Sequence, residues 1–226
     1  MLFDGLEKNL KVISYRITYI CGSFTYLNLL LTESDYVRVA NNNYIRFTRL
    51  GRIITFKRIK LGSCGSLYLD LAWTGIILTA GAFQNLTQVT YLDISMNRIK
   101  KIPKHTFIGL TSLKILNINH NDIISINNGA FHGLNSLKWL EMVNCKINTI
   151  ESNAFEGLSN LQLLDLSENP IRILKHNAFS GLHMLNHITL ETHHITQVDE
   201  HAFSGMRNLK SLVNTLFISY YSLPKI

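Results

Sequence analysis

The stretch NAFEGLSNLQLLDLSENPI, running from Asn153 to Ile171, decides how this chain folds, because its pattern returns every 24 residues on both sides. Phe155 has counterparts at Phe83, Phe107, Phe131, Phe179 and Phe203, and an apolar residue follows each three positions later, at Leu86, Leu110, Leu134, Leu158, Leu182 and Met206. The second half reads L-x-x-L-x-L-x-x-N-x-I through Leu161, Leu164, Leu166, Asn169 and Ile171. Leu113, Leu116, Ile118, Asn121 and Ile123 repeat it, as do Leu137, Leu140, Met142, Cys145 and Ile147. Val89, Leu92, Ile94, Asn97 and Ile99 open the regular run, and Leu185, Ile188, Leu190, His193 and Ile195 close it. One such unit is too small to bury its own apolar side, so units must stack and share a continuous core.

Within each unit the L-x-L alternation predicts a short strand, with Leu116 and Ile118 pointing inward and Ile115, Asn117 and Asn119 outward. Parallel strands then line one face of a curved solenoid, and the Phe column packs beneath the return segments. The rung Asn97, Asn121, Cys145, Asn169, His193 falls where the chain turns away from the sheet. An Asn amide there both donates to and accepts from backbone groups that would otherwise stay unpaired, at about 1–3 kcal/mol for each one left so. Cys145 reads as a small substitute that tolerates burial and keeps a weak S–H donor. Apolar burial raises a thiol's pKa, so Cys145 is expected to resist alkylation. His193 is expected to be the weakest rung.

These anchors, in register over residues 89–208, resemble the leucine-rich repeat signature, whose N position is written N or C. The form is similar to the long repeats of animal extracellular proteins such as Toll-like receptors, Slit proteins and leucine-rich-repeat G-protein-coupled receptors. The resemblance implies an α/β solenoid, a leucine-rich-repeat horseshoe with a parallel concave β-sheet. Residues 66–226 are expected to form it, with a degenerate unit from 209 and a transitional unit at 69–86 carrying Leu69, Leu71, Thr74, Ile76 and Phe83. Residues 1–65 read as an irregular β-rich N-terminal cap. There YVRVA, YIRFTRL and IITFKRIKL alternate like a small antiparallel meander, suited to covering the open end of the stack.

At 226 residues with 46% apolar content the chain can build a large core, and no Pro-, Gly- or Ser-rich linker divides it. Its formal net charge is +7. Residues 36–60 alone hold seven cations and no acid: Arg38, Arg46, Arg49, Arg52, Lys57, Arg58 and Lys60. Such a segment is a candidate site for an acidic polysaccharide or membrane surface, or a solvated face whose charge discourages edge pairing. No signature of sequence-specific nucleic-acid binding is present.

The motifs argue against an enzyme. No Gly-rich nucleotide loop or usable nucleophile context occurs, and no cofactor is expected. His187, His193 and His194 lie close in sequence, yet alternation sends His187 outward and His193 inward, so no metal site is expected. Asn85-Leu86-Thr87 is a glycosylation sequon, with Asn85 as acceptor. Cys21 and Cys64 are the candidate pair for a disulfide in the cap if Cys145 is buried. The N-terminus is no clean secretory signal and the apolar tail is too short to span a bilayer, so the chain reads as part of a longer protein. The resemblance favours a ligand-recognition module of an extracellular or cell-surface receptor or matrix protein, in signalling or adhesion. The alternative is an intracellular leucine-rich-repeat scaffold or enzyme inhibitor.

Alternation also names the binding residues. Tyr91, Ile115, Trp139, Leu163 and His187 form one outward column, mostly apolar, and Asp93, Asn117, Glu141, Asp165 and Thr189 form the next, mostly acidic. Trp139, with Glu141, Asp165 and His120 around it, suits a protein ligand that presents an apolar or aromatic side chain ringed by Lys or Arg.

Overall fold

The computed structural model describes residues 11–20, 23–31, 36–40, 44–48, 58–60, 67–84, 86–190 and 195–213, with side chains from 67 to 211 in those ranges. Strand β1 (Lys11–Ile20) pairs antiparallel with β2 (Ser23–Leu31), and β3 (Tyr36–Ala40) pairs antiparallel with β4 (Tyr44–Thr48). Strand β5 (Arg58–Lys60) pairs antiparallel with β2. Next come β6 (Leu67–Asp70), β7 (Val89–Asp93), β8 (Ile115–Asn117), β9 (Ser125–Ile126), β10 (Trp139–Glu141) and β11 (Thr149–Ile150). The series ends with β12 (Leu163–Asp165), β13 (Ile173–Leu174), β14 (His187–Thr189), β15 (Gln197–Val198) and β16 (Ser211–Val213).

Two of the sheets follow the 24-residue period. The long one has the order β16-β14-β12-β10-β8-β7-β6-β4-β3, parallel throughout except for β3 at its end. The second, β15-β13-β11-β9, is made of two-residue strands in the return segments. Turns fill the remainder of each return, so among the described residues the return side contains strands and turns and no helix. The short unit at the start is absorbed locally: Leu67 faces Val89 while Tyr68 faces Tyr91, a shift of one residue.

The three runs between residues 36 and 60 do not form one meander. Strands β3 and β4 make the expected hairpin, but β4 joins the long sheet, with Tyr44, Ile45 and Arg46 opposite Tyr68, Leu69 and Asp70. The third run contributes β5, which pairs with β2 instead. The cause is periodic: Tyr44-Ile45-Arg46-Phe47 lies 24 residues before Tyr68-Leu69-Asp70-Leu71 and carries the same alternation, so the period reaches back to residue 44.

The core follows from this stacking. The inward-facing strand residues Leu92, Leu116, Leu140, Leu164 and Ile188 are fully buried, and so are Phe83, Phe107, Phe131, Phe155 and Phe179. The Phe rings lie nearly parallel, within 7° of one another from Phe83 to Phe179, with centroids 5.6–6.2 Å apart. That is wider than the roughly 4.8 Å between paired strands, so the coils fan out on the Phe side and the long sheet takes the concave face. Gly133 shows how close neighbouring coils come: its φ is +100°, and a Cβ there would meet the Ile108 Cα at 3.2 Å and the Phe107 carbonyl at 3.3 Å. A glycine is required in that Phe-x-Gly-Leu turn.

Candidate ligand-binding face

The Asn ladder is built as the turn chemistry requires. Asn169 donates through Nδ2 to the carbonyls of Met142, Leu166 and Ser167 at 2.6, 2.9 and 3.1 Å. Its Oδ1 accepts from the amides of Cys145 and Ile147 at 2.9 and 3.0 Å. Asn97 and Asn121 do the same for their neighbours, accepting from Gly75 N at 2.7 Å and Ile99 N at 3.0 Å. Cys145 is fully buried and its thiol donates to the Ile118 carbonyl at 3.2 Å. Burial pushes this thiol up to about 11, against a smaller opposing pull from the nearby backbone of Asn121 and His120. The sulfur does not replace the amide oxygen: among the described residues, Ile123 N, at the position equivalent to Ile99 and Ile147, has no acceptor. His193 lies outside the described residues.

The ladder leaves the concave face free for recognition. Strand register aligns Tyr91, Ile115, Trp139, Leu163 and His187 in one row and Asp93, Asn117, Glu141, Asp165 and Thr189 in the next. Trp139 is 46% exposed at the centre of its row, between Ile115 and Leu163. Tyr68 extends the row, its ring 5.3 Å from that of Tyr91. Burial, then the carboxylate of Asp93, raises the Tyr91 hydroxyl above its usual pKa.

Part of the acidic row does structural work. Asp93 and Asp165 each accept from the backbone amide two residues on, at 2.8 and 3.0 Å, and Asn117 does likewise for Asn119 at 3.0 Å. Glu141 is different. Among the described residues it receives only the Asn119 side-chain amide, at 3.3 Å. Burial raises its pKa; the Asn119 bond opposes this, and the charges of Asp165 and Asp93 add to the rise. Among the described residues no cation forms an ion pair with Asp93, Glu141 or Asp165.

His120 stands apart from both rows. It takes a left-handed backbone, φ 56°, just before the ladder Asn, as do Trp73, Met96, Asn144 and Glu168 on their coils. These residues form a rim, and at one end Trp73, Thr74, Gly75, Met96, Asn97, Arg98 and His120 line a groove of about 560 Å³. Trp73 is 71% exposed. Strand alternation could not find it, since it follows the strand; its place one residue before the ladder position was the available signal.

Of the remaining sequence-predicted residues, Arg38, Arg46, Arg58 and Lys60 lie on β3, β4 and β5, with side chains outside the description. Arg49, Arg52, Lys57, Cys21, Cys64 and Asn85 fall outside the described residues.

A family model for the BspA-type leucine-rich repeat region matches residues 76–210 in six copies. The chain belongs to the leucine-rich repeat family. Among solved structures, the leucine-rich repeats are similar to a TLR13–ssRNA13 complex at 34% identity and a TM-score of 0.60, over 67% of this chain and 22% of that one. A Toll–Spatzle complex of Drosophila matches at 21% identity and a TM-score of 0.55, over 66% of this chain and 20% of that one, and shares the fold. The chain thus spans about a fifth of the length of either receptor. No curated protein sequence matches it. Leucine-rich repeats and these receptor neighbours support a protein-interaction or ligand-binding module.

Proposed function

We propose that the concave face binds a protein ligand presenting an apolar or aromatic side chain ringed by Lys or Arg, and that the chain is the recognition part of an extracellular or cell-surface receptor or matrix protein. The observation that carries this is the half-exposed Trp139 at the centre of an apolar row, alongside carboxylates that have no cationic partner among the described residues. An exposed indole on a sheet face is costly to leave solvated, and Trp is among the residues most enriched in binding hot spots. TLR13 is described with single-stranded RNA. On this chain Asp93, Glu141 and Asp165 would repel phosphate along the same face, so a basic protein fits better than RNA. The proposal includes a glycan on Asn85, a role in signalling or adhesion, and the basic residues 36–60 as a contact for an acidic polysaccharide or membrane surface.

The test pairs thermal unfolding with affinity for a partner isolated by pull-down on the wild-type chain. Trp139→Ala is expected to keep the unfolding midpoint and lose on the order of 2 kcal/mol or more of binding. Undiminished affinity would move the site to another face.

A further inference from the structure

The return side of the coil after β7 carries a charge pattern opposite to that of the concave face. From residue 71 to residue 121 the chain holds five cations, Arg98, Lys100, Lys101, Lys104 and Lys114, and a single acid, Asp93, which lies on the concave row. Arg98, Lys100, Lys101 and Lys104 are all exposed, and among the described residues none forms an ion pair. The acid of the next coil, Asp122, is paired with Lys146 and also lies within the field of Lys100 and Arg98, so one carboxylate borders this group of four cations. The Lys104 stem lies against Gly129, where a Cβ would meet its Cε at 3.0 Å, so its ammonium group is held on this surface. Arg98 also lines the groove beneath the exposed Trp73, which joins a flat aromatic ring to the cationic patch.

We propose that this surface binds a sulfated polysaccharide, with Arg98, Lys100, Lys101 and Lys104 on the sulfates and the Trp73 indole against the C–H face of a sugar ring. Charge complementarity selects a polyanion. Single-stranded nucleic acid is bound by successive aromatic platforms, whereas Trp73 is the one exposed Trp, Tyr or Phe on this surface among the described residues. An anionic bilayer needs a continuous apolar face beside the cations; Ile99 and Ile102, which alternate with these lysines, are buried in the core, and the exposed Ile77, Ile108 and Ile124 stand singly on three different coils. None of the proposed contact residues belongs to the two concave rows or to the basic residues 36–60.

The experiment measures binding of a size-defined heparin oligosaccharide to the full chain and to K100S/K101S/K104S, with thermal unfolding on each. Expected are an unchanged unfolding midpoint, affinity reduced at least about tenfold, a similar loss when the oligosaccharide is desulfated, and partial losses in Trp73→Ala and in Lys101→Ser alone. Trp139→Ala should bind heparin like the wild type, which keeps this result independent of the concave-face ligand. Wild-type affinity in the triple variant would overturn the proposal. So would a loss seen only in R38S/R46S/R58S, which would move the site to the N-terminal segment, or tighter binding of poly(U) RNA or anionic vesicles than of heparin. If the triple variant unfolds early, the two single variants decide, and wild-type affinity in both overturns it.

Discussion

Replacing Cys145 by Asn should make the protein more stable, although it introduces a larger polar side chain into a fully buried position. On three rungs an Asn oxygen accepts a backbone amide from the preceding coil at 2.7–3.0 Å: Gly75, Ile99 and Ile147. At the fourth, the amide of buried Ile123 has no acceptor among the described residues, because sulfur stands where the oxygen would be. An unpaired buried amide costs about 1–3 kcal/mol. The new Nδ2 would also reach the Ile118 carbonyl, as Asn121 reaches Ile94 O at 3.0 Å and Asn169 reaches Met142 O at 2.6 Å. The extra volume works against this, but the same coil frame already accepts Asn on both sides. A net gain of roughly 1–2 kcal/mol, at about 2–4 °C per kcal/mol for a chain of this size, gives a midpoint raised by about 2–8 °C. The assay is thermal unfolding by circular dichroism under reducing conditions, with Asn169→Ala alongside. That variant strands four groups, Cys145 N, Ile147 N, Met142 O and Leu166 O, and should lose about 4 kcal/mol or more. A Cys145→Asn midpoint at or below the wild type, with Asn169→Ala strongly destabilised, would refute the idea that the missing acceptor matters.

Two further outcomes follow from the pKa shifts. Glu141 has a folded pKa above its usual value, so its contribution to stability is fully present below the unfolded pKa and is lost as pH rises through the folded one. Glu141→Gln should therefore gain stability relative to wild type between pH 4 and pH 7, read as urea midpoints; a difference independent of pH would contradict the assignment. Cys145, buried and with its thiol near 11, should stay unlabelled by a small thiol reagent at pH 8 until the chain unfolds. Fast labelling of the folded protein would show that the ladder opens locally.

Much of this architecture is determined by the sequence alone, for a simple reason. When units repeat at a fixed period, each residue's neighbour on the next coil is the residue one period away. Trp139 must therefore lie between Ile115 and Leu163, the Phe rings must stack, and Asn169 must cap the turn beside Cys145. Alternation then separates the concave rows from the core. What lies off the period was decided only in three dimensions. The pairing of β5 with β2 follows no repeat and depends on how two non-periodic runs meet. The engagement of Asp122 by Lys146 and of Glu151 by Lys175 depends on which return-side charges face each other across coils, and among the described residues it leaves Arg98, Lys100, Lys101 and Lys104 without a direct ion pair. The left-handed turn that sets Trp73 on the rim, and the missing acceptor at Ile123, depend on backbone direction and hydrogen-bond reach, which residue identity at a rung does not specify.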